Sequence, residues 1–202
     1  MIAVAHAVSV VFHPLLMTTY LFALLMFRMP SLLVPLRPSW WFVVLIFGLT
    51  FVLPALNFLF FRASGTMRDL TLRNRADRTV PFAFISILYG VVTFMFYWKF
   101  PVPGVLKMML IITALVLSCA LVTLFYKVSI HSAGAWGLIG IILPLNKATE
   151  EGTLLMPTVL ALVAAGLVMS ARLKLNAHVP REVMVGALLG FAVGFAGIAI
   201  LF

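Results

Sequence analysis

Apolar residues fill this chain in long blocks, and short polar stretches separate them. The blocks run over about residues 2–27, 39–61, 81–98, 104–126, 132–145, 153–171 and 182–202. A helix needs about 20 residues to cross a bilayer core about 30 Å thick, and most of the blocks approach or exceed that length. Backbone N–H and C=O groups find no water in lipid, so repeated blocks of this kind predict an all-α bundle of six to seven transmembrane helices. No Ser-, Pro- or Gly-rich linker divides them, and residues 1–202 are expected to form a single polytopic membrane domain. The first block has no basic residue before Arg28 and is too long for a signal-peptide core, so it is expected to stay as a helix. The fifth is short for a span and contains Gly134, Gly137, Gly140 and Pro144, which predicts a tilted, kinked or partly re-entrant segment packed inside the bundle.

Polar residues inside and between the blocks refine this outline. His6 and His13 lie seven apart, on one face of an unbroken first helix, where a hydrogen bond to a neighbouring helix is their expected use. Pro30, Pro35 and Pro38 break the chain before Trp40 and Trp41, which suit an interfacial aromatic belt. Pro54 and Asn57 predict a kink and an interhelical hydrogen bond in the second helix. Arg62, Arg68, Arg73, Arg75 and Arg78 crowd the next loop. They can set topology, and Asn74, Arg75, Arg78 and Pro81, at the start of the third helix, could also grip a phosphate with guanidinium forks and free N–H groups.

Lys127, Ser129 and His131 gather where the fifth helix begins. Further on, Pro180 suits the first turn of the last helix, because its missing N–H would be unpaired there anyway. His178 then stands just outside that helix and Glu182 in its first turn, close enough to hold the imidazole in one tautomer. Gly186, Gly190 and Gly194 recur at every fourth position beyond, as in close packing within a bundle or in a homodimer contact. An even number of crossings separates the arginine loop, the Ser129–His131 segment and the Arg172–Glu182 segment, so all three are expected on one membrane face.

Composition narrows the chemistry. With 64% hydrophobic and 9% charged residues, and a mean hydropathy of +1.22, a water-soluble domain is excluded. The net charge of +9 therefore points to loops at anionic lipid headgroups rather than to nucleic acid. The one cysteine, Cys119, rules out an internal disulfide and reads as a small buried residue. Four histidines, few carboxylates and no HExxH pattern leave no expected metal site and no cofactor. Nothing like a nucleophile elbow surrounds Ser129 or Ser132, which argues against a serine hydrolase. Cations, two histidines, a serine and a carboxylate on one face instead meet the needs of phosphoryl transfer: oxygen-binding charges, a nucleophile in line and an acid opposite.

Arg172, then His178 six residues on, then Glu182 and VMVGALLG, resembles the third signature of the type 2 phosphatidic acid phosphatase superfamily, membrane relatives of the vanadium haloperoxidases. Ser129, Ile130 and His131 are similar to its second signature, Ser-Gly-His, and Arg75 to Pro81 resembles a degraded first one. FHPLLMTTY, LRNRADRTVPF, KVSIHSAG and ARLKLNAHVPREVMVGALLGF in this order resemble a divergent bacterial branch of the superfamily. The resemblance implies an integral protein of the bacterial cell membrane that hydrolyses, without metal, a phosphomonoester or diphosphate on a lipid such as a glycerolipid phosphate or a polyprenyl diphosphate. It implies His178 as the nucleophile that forms a phosphohistidine, Glu182 as its orienting acid and His131 as the proton donor. Ser129, Arg172, Arg78 and Arg75, with Lys127 nearby, would bind the phosphate.

Three departures from the pattern stand out. Thr71 stands seven residues before Arg78, where the first signature has lysine; Ile130 replaces glycine, and Glu182 replaces aspartate. They favour, as the alternative, a protein that binds or transports a lipid headgroup without turnover. Loop charge does not assign the site to one side of the membrane once Arg75, Arg78 and Arg172 are set aside for phosphate.

Overall fold

A computed structural model describes residues 1–63, 79–100, 102–148 and 152–202. Among these residues the chain is helical throughout, without a strand. The elements are α1 (Ile2–Val11), α2 (Pro14–Arg28), α3 (Trp40–Phe47), α4 (Leu53–Ala63), α5 (Thr79–Lys99), α6 (Pro103–Phe125), α7 (Ile130–Ala148), α8 (Leu155–Lys174) and α9 (Pro180–Leu201). α3 and α4 are continuous through a π-turn over Gly48–Val52, so Trp40–Ala63 forms one span. That span, α5, α6, α8 and α9 are long and apolar enough to cross a membrane, and α1 with α2 counts as a sixth span if the bent pair is taken together. The all-α membrane bundle expected from the hydrophobic blocks is the observed fold.

The first block is not one helix. α1 and α2 meet at 54°. Pro14 lacks the N–H a continuing helix would need and forces the residue before it into extended geometry. His13 accordingly sits at φ −64°, ψ 136° and caps α2, with Nδ1 accepting a hydrogen bond from the Leu15 N–H at 3.3 Å. The break removes the common face expected for His6 and His13: His6 is exposed on α1, while His13 is drawn inward.

α7 is the axis of the bundle. It packs on α9 most extensively, and also on α8, α2 and α6. No residue from Ile130 to Ile142 is exposed, so this helix is walled in by protein rather than lipid. Its glycines make that possible. The stripe on α9 faces it: a Cβ at Gly186, Gly190 or Gly194 would run into the carbonyl oxygens of Ser129, Ala133 and Gly137, and one on Gly140 would strike the Phe191 backbone. The two backbones therefore touch, as small residues permit between membrane helices. The stripe is consumed within one chain, not in a dimer contact.

A second packing centre lies among α2, α3, α5 and α6, where Phe22, Leu25, Met26, Ile46, Phe96 and Met108 are fully buried. Pro54 leaves the Thr50 carbonyl without its usual helical N–H partner, and the chain answers in two ways. The π-turn reroutes the Leu53 N–H to the Gly48 carbonyl, and the buried Tyr89 hydroxyl of α5 donates to the Thr50 oxygen at 3.0 Å. Asn57, expected to bond a neighbouring helix, instead donates to the Leu53 carbonyl of its own helix at 2.9 Å. Tyr89→Phe should leave the Thr50 oxygen unsatisfied and cost about 1–3 kcal/mol. Thermal unfolding in detergent should show that loss, and Pro54→Ala, which restores the N–H, should recover much of it.

Candidate functional site

The turn between α8 and α9 is built to bring His178 back beside Arg172. α8 ends at Leu175, and Asn176 adopts a left-handed φ of 48°. The Asn176 N–H then donates to the Leu173 carbonyl at 3.0 Å and the Ala177 N–H to the Arg172 carbonyl at 3.2 Å, the paired closure of a Schellman motif. Asparagine is, after glycine, the residue that tolerates this conformation. Two residues later the chain extends through Val179 and re-enters a helix at Pro180.

Glu182 is the hub of the turn. Its Oε2 lies 2.6 Å from Nδ1 of the buried His178, 3.4 Å from the Val179 N–H and 3.6 Å from Lys127 Nζ. Its backbone carbonyl accepts from the Ser129 N–H at 3.1 Å, which ties the segment before α7 to the start of α9. A carboxylate accepts, so Nδ1 of His178 carries a proton, and in the neutral ring the lone pair that a nucleophile requires is on Nε2.

His131 stands one residue inside α7. Its Nε2 is 3.2 Å from the Ser9 carbonyl of α1; a carbonyl cannot donate, so this nitrogen holds a proton. The same serine reaches Arg172, whose Nη1 donates to the Ser9 hydroxyl at 3.4 Å. The His131 ring also meets His13 edge-on, with centroids 5.4 Å apart.

His13, His131, Arg172 and His178 together line one end of a cavity of about 550 Å³. Apart from Thr18 and Tyr89, the rest of its wall is apolar and comes mainly from α2, the α3–α4 span, α5, α6 and α7, with Phe51, Phe58, Ile85 and Leu115 among the contributors. From Ile130 to Ile141 the cavity follows α7 for about 16 Å, roughly half a bilayer core. Its size falls in the range of about 300–1,000 Å³ that accommodates small organic ligands.

The expected site residues are thus unequally placed. His178, His131 and Arg172 face one space, and Glu182 stands behind His178. Ser129 is buried and receives a hydrogen bond at 3.1 Å from the Ser132 hydroxyl, while Lys127 donates to the Ala177 carbonyl at 3.3 Å and pairs with Glu182. These two brace the connections rather than line the cavity. Arg75 and Arg78 lie outside the described residues. Ser9 is the residue that sequence reasoning passed over, and His13, expected only to bond a neighbouring helix, lines the cavity instead; the His13–Pro14 step was the available signal for a helix break there. Among the described residues, no three His, Cys, Asp or Glu side chains form a set that could hold a metal ion.

A polytopic helical membrane protein with a cationic, histidine-lined chamber at the head of an apolar cavity is what the fold defines. Residues 123–202, less than half of the chain, match the family model described as the PAP2 superfamily. The match covers the Ser129–His131 and Arg172–Glu182 segments, and the family suggests phosphatase activity on lipid-type substrates. No curated protein matches the chain, and no solved structure does.

Asn176→Val should cost about 1–2 kcal/mol, the penalty of a left-handed conformation for an L residue with a branched side chain. Asn176→Gly should leave stability nearly unchanged. Thermal unfolding of both variants in detergent checks the role of this turn in holding Arg172 and His178 together.

Proposed function

We propose that the protein is a lipid phosphatase that works through a phosphohistidine, using only groups of its own chain. The observation that carries this reading is the convergence of His131, Arg172 and His178 on the polar end of an otherwise apolar, membrane-embedded cavity. A phosphorylated lipid has the matching form, a compact anion on a long hydrocarbon tail. The substrates proposed are a glycerolipid phosphate or a polyprenyl diphosphate.

In the proposed cycle Nε2 of His178 attacks phosphorus while Glu182 holds the Nδ1 proton and steadies the positive charge that develops on the ring. The bond from phosphorus to the leaving oxygen breaks, and His131, entering this step as the imidazolium, passes its Nε2 proton to that oxygen. Arg172 offsets the charge that gathers on the phosphate oxygens, and Arg75 and Arg78 are proposed to add to it. His131, now neutral with a lone pair on Nε2, takes a proton from water at that nitrogen. The resulting hydroxide attacks phosphorus, the P–N bond breaks, and inorganic phosphate leaves with His178 restored. Ser129 and Lys127 are proposed to act indirectly, by holding the segments that carry His131 and His178.

The departures from the family signatures keep one rival in view, a headgroup-binding or transport protein without turnover. Purified protein incubated with phosphatidate, phosphatidylglycerol phosphate and a polyprenyl diphosphate, with chelator present, separates the two. Phosphate release is expected, with His178→Ala reducing it by more than about a thousandfold and His131→Ala by about 10²–10⁴-fold. Absence of release from every lipid, with binding retained, would decide for the rival.

The apolar cavity makes a second expectation. Cys119 lines it from α6, so Cys119→Phe should fill part of the volume. Excluding about two methylenes of tail lowers kcat/KM for a long-chain lipid by about tenfold. Dioctanoyl phosphatidate, whose chains need less room, should be hydrolysed at close to the unaltered rate.

A further inference from the structure

The headgroup chamber holds a third histidine that the family signatures do not contain. His13 belongs to the break between α1 and α2, far in sequence from the matched residues 123–202, yet it lines the same cavity as His131, Arg172 and His178. Its ring is clamped at right angles between Phe51, at 6.1 Å, and His131, at 5.4 Å. Its Nδ1 is occupied as an acceptor by the Leu15 N–H. In the neutral ring the proton must then sit on Nε2, so His13 presents a donor on its other nitrogen. Donors with fixed direction in a water-poor cavity are the groups that hold a phosphate oxygen most effectively.

We propose that His13 is a phosphate-binding residue, its Nε2–H donating to a non-bridging oxygen of the same phosphate that His131, Arg172 and His178 address. The proposal rests on the headgroup site described above and extends it to the N-terminal helices. α1 and α2 thereby become a wall of the site: Ser9 already engages His131 and Arg172, and His13 stands at the adjoining corner. The break at Pro14 has a purpose in this arrangement, since a continuous helix would not free the His13 ring from the helical ladder in this way.

A helix cap is the competing account of His13, and two isosteric substitutions separate cap from ligand. In His13→Asn the side-chain oxygen replaces Nδ1 and keeps the cap, but nothing replaces Nε2. In His13→Gln the amide nitrogen replaces Nε2 while the cap is lost. Each variant is purified in detergent and compared for melting temperature and for kcat/KM with phosphatidate and with farnesyl diphosphate. Binding of dioctanoyl phosphatidate and farnesyl diphosphate is measured in parallel on a His178→Ala background, where turnover cannot intervene. A phosphate ligand predicts that Asn melts like the parent but loses about 10- to 100-fold in kcat/KM and in affinity, the effect of removing a hydrogen bond to a charged group. It predicts that Gln recovers most of that loss despite a lower melting temperature.

Parent-like kinetics and binding in Asn would overturn the role of His13 and leave the phosphatase reading standing. Absence of turnover, with binding that still weakens in Asn, would overturn the phosphatase reading and leave His13 in place. Absence of headgroup-dependent binding to both lipids, together with absence of turnover, would overturn both. His13→Ser, which also caps, serves as the second cap-preserving variant if Asn does not fold.

Discussion

Contact between the backbones of α7 and α9 is the constraint on which the remaining geometry rests. Two helices ordinarily keep 8–10 Å between axes because side chains intervene. Here Gly186, Gly190 and Gly194 remove those side chains, and the carbonyls of Ser129, Ala133 and Gly137 come up against bare backbone. The first of these contacts lies one turn from Glu182 and next to Ile130, so the helix pairing and the site are the same construction. A methyl group at Gly186 would meet the Ser129 carbonyl, two residues from His131, and one at Gly190 or Gly194 would part the same two backbones further along α7.

Around that contact, one carboxylate does the positioning. Glu182 fixes a histidine tautomer, caps its own helix and pairs with Lys127, and its main chain fastens Ser129. Four tasks on one residue explain why glutamate can serve where the related signature has aspartate. His178 stands before the extended Val179 cap, outside the helix, so the longer side chain reaches back from the first turn of α9 to meet it. The short separation from Nδ1 of His178 shows that the longer side chain still reaches.

Much of this was legible in the residues. Seven hydrophobic blocks, the convergence of Ser129–His131 with Arg172–Glu182 and the burial of the fifth block all follow from hydropathy and from counting crossings. The α1–α2 break did not, because Pro14 is compatible with both a kinked helix and a new one, and only packing against α7 and α8 decides between them. Asn57 shows the same limit: composition announces a polar group needing a partner, and only the fold shows that the partner is the Leu53 carbonyl one turn back. The cavity was illegible for a different reason. An apolar face reads identically whether another side chain or empty space lies against it, so nothing about Leu115 or Phe58 announces a cavity wall.

The grip of Ser9 on both His131 and Arg172 has an energetic corollary. At rest these two groups are not bare, since the chain's own carbonyl and hydroxyl oxygens occupy them. An incoming anion therefore trades places with α1 instead of entering a vacant seat, and its net affinity is the difference between two sets of oxygen contacts. α1 is ten residues long, mostly exposed and joined to α2 at an angle, so such a trade can be confined to one short arm while the glycine-welded pair behind it stays still.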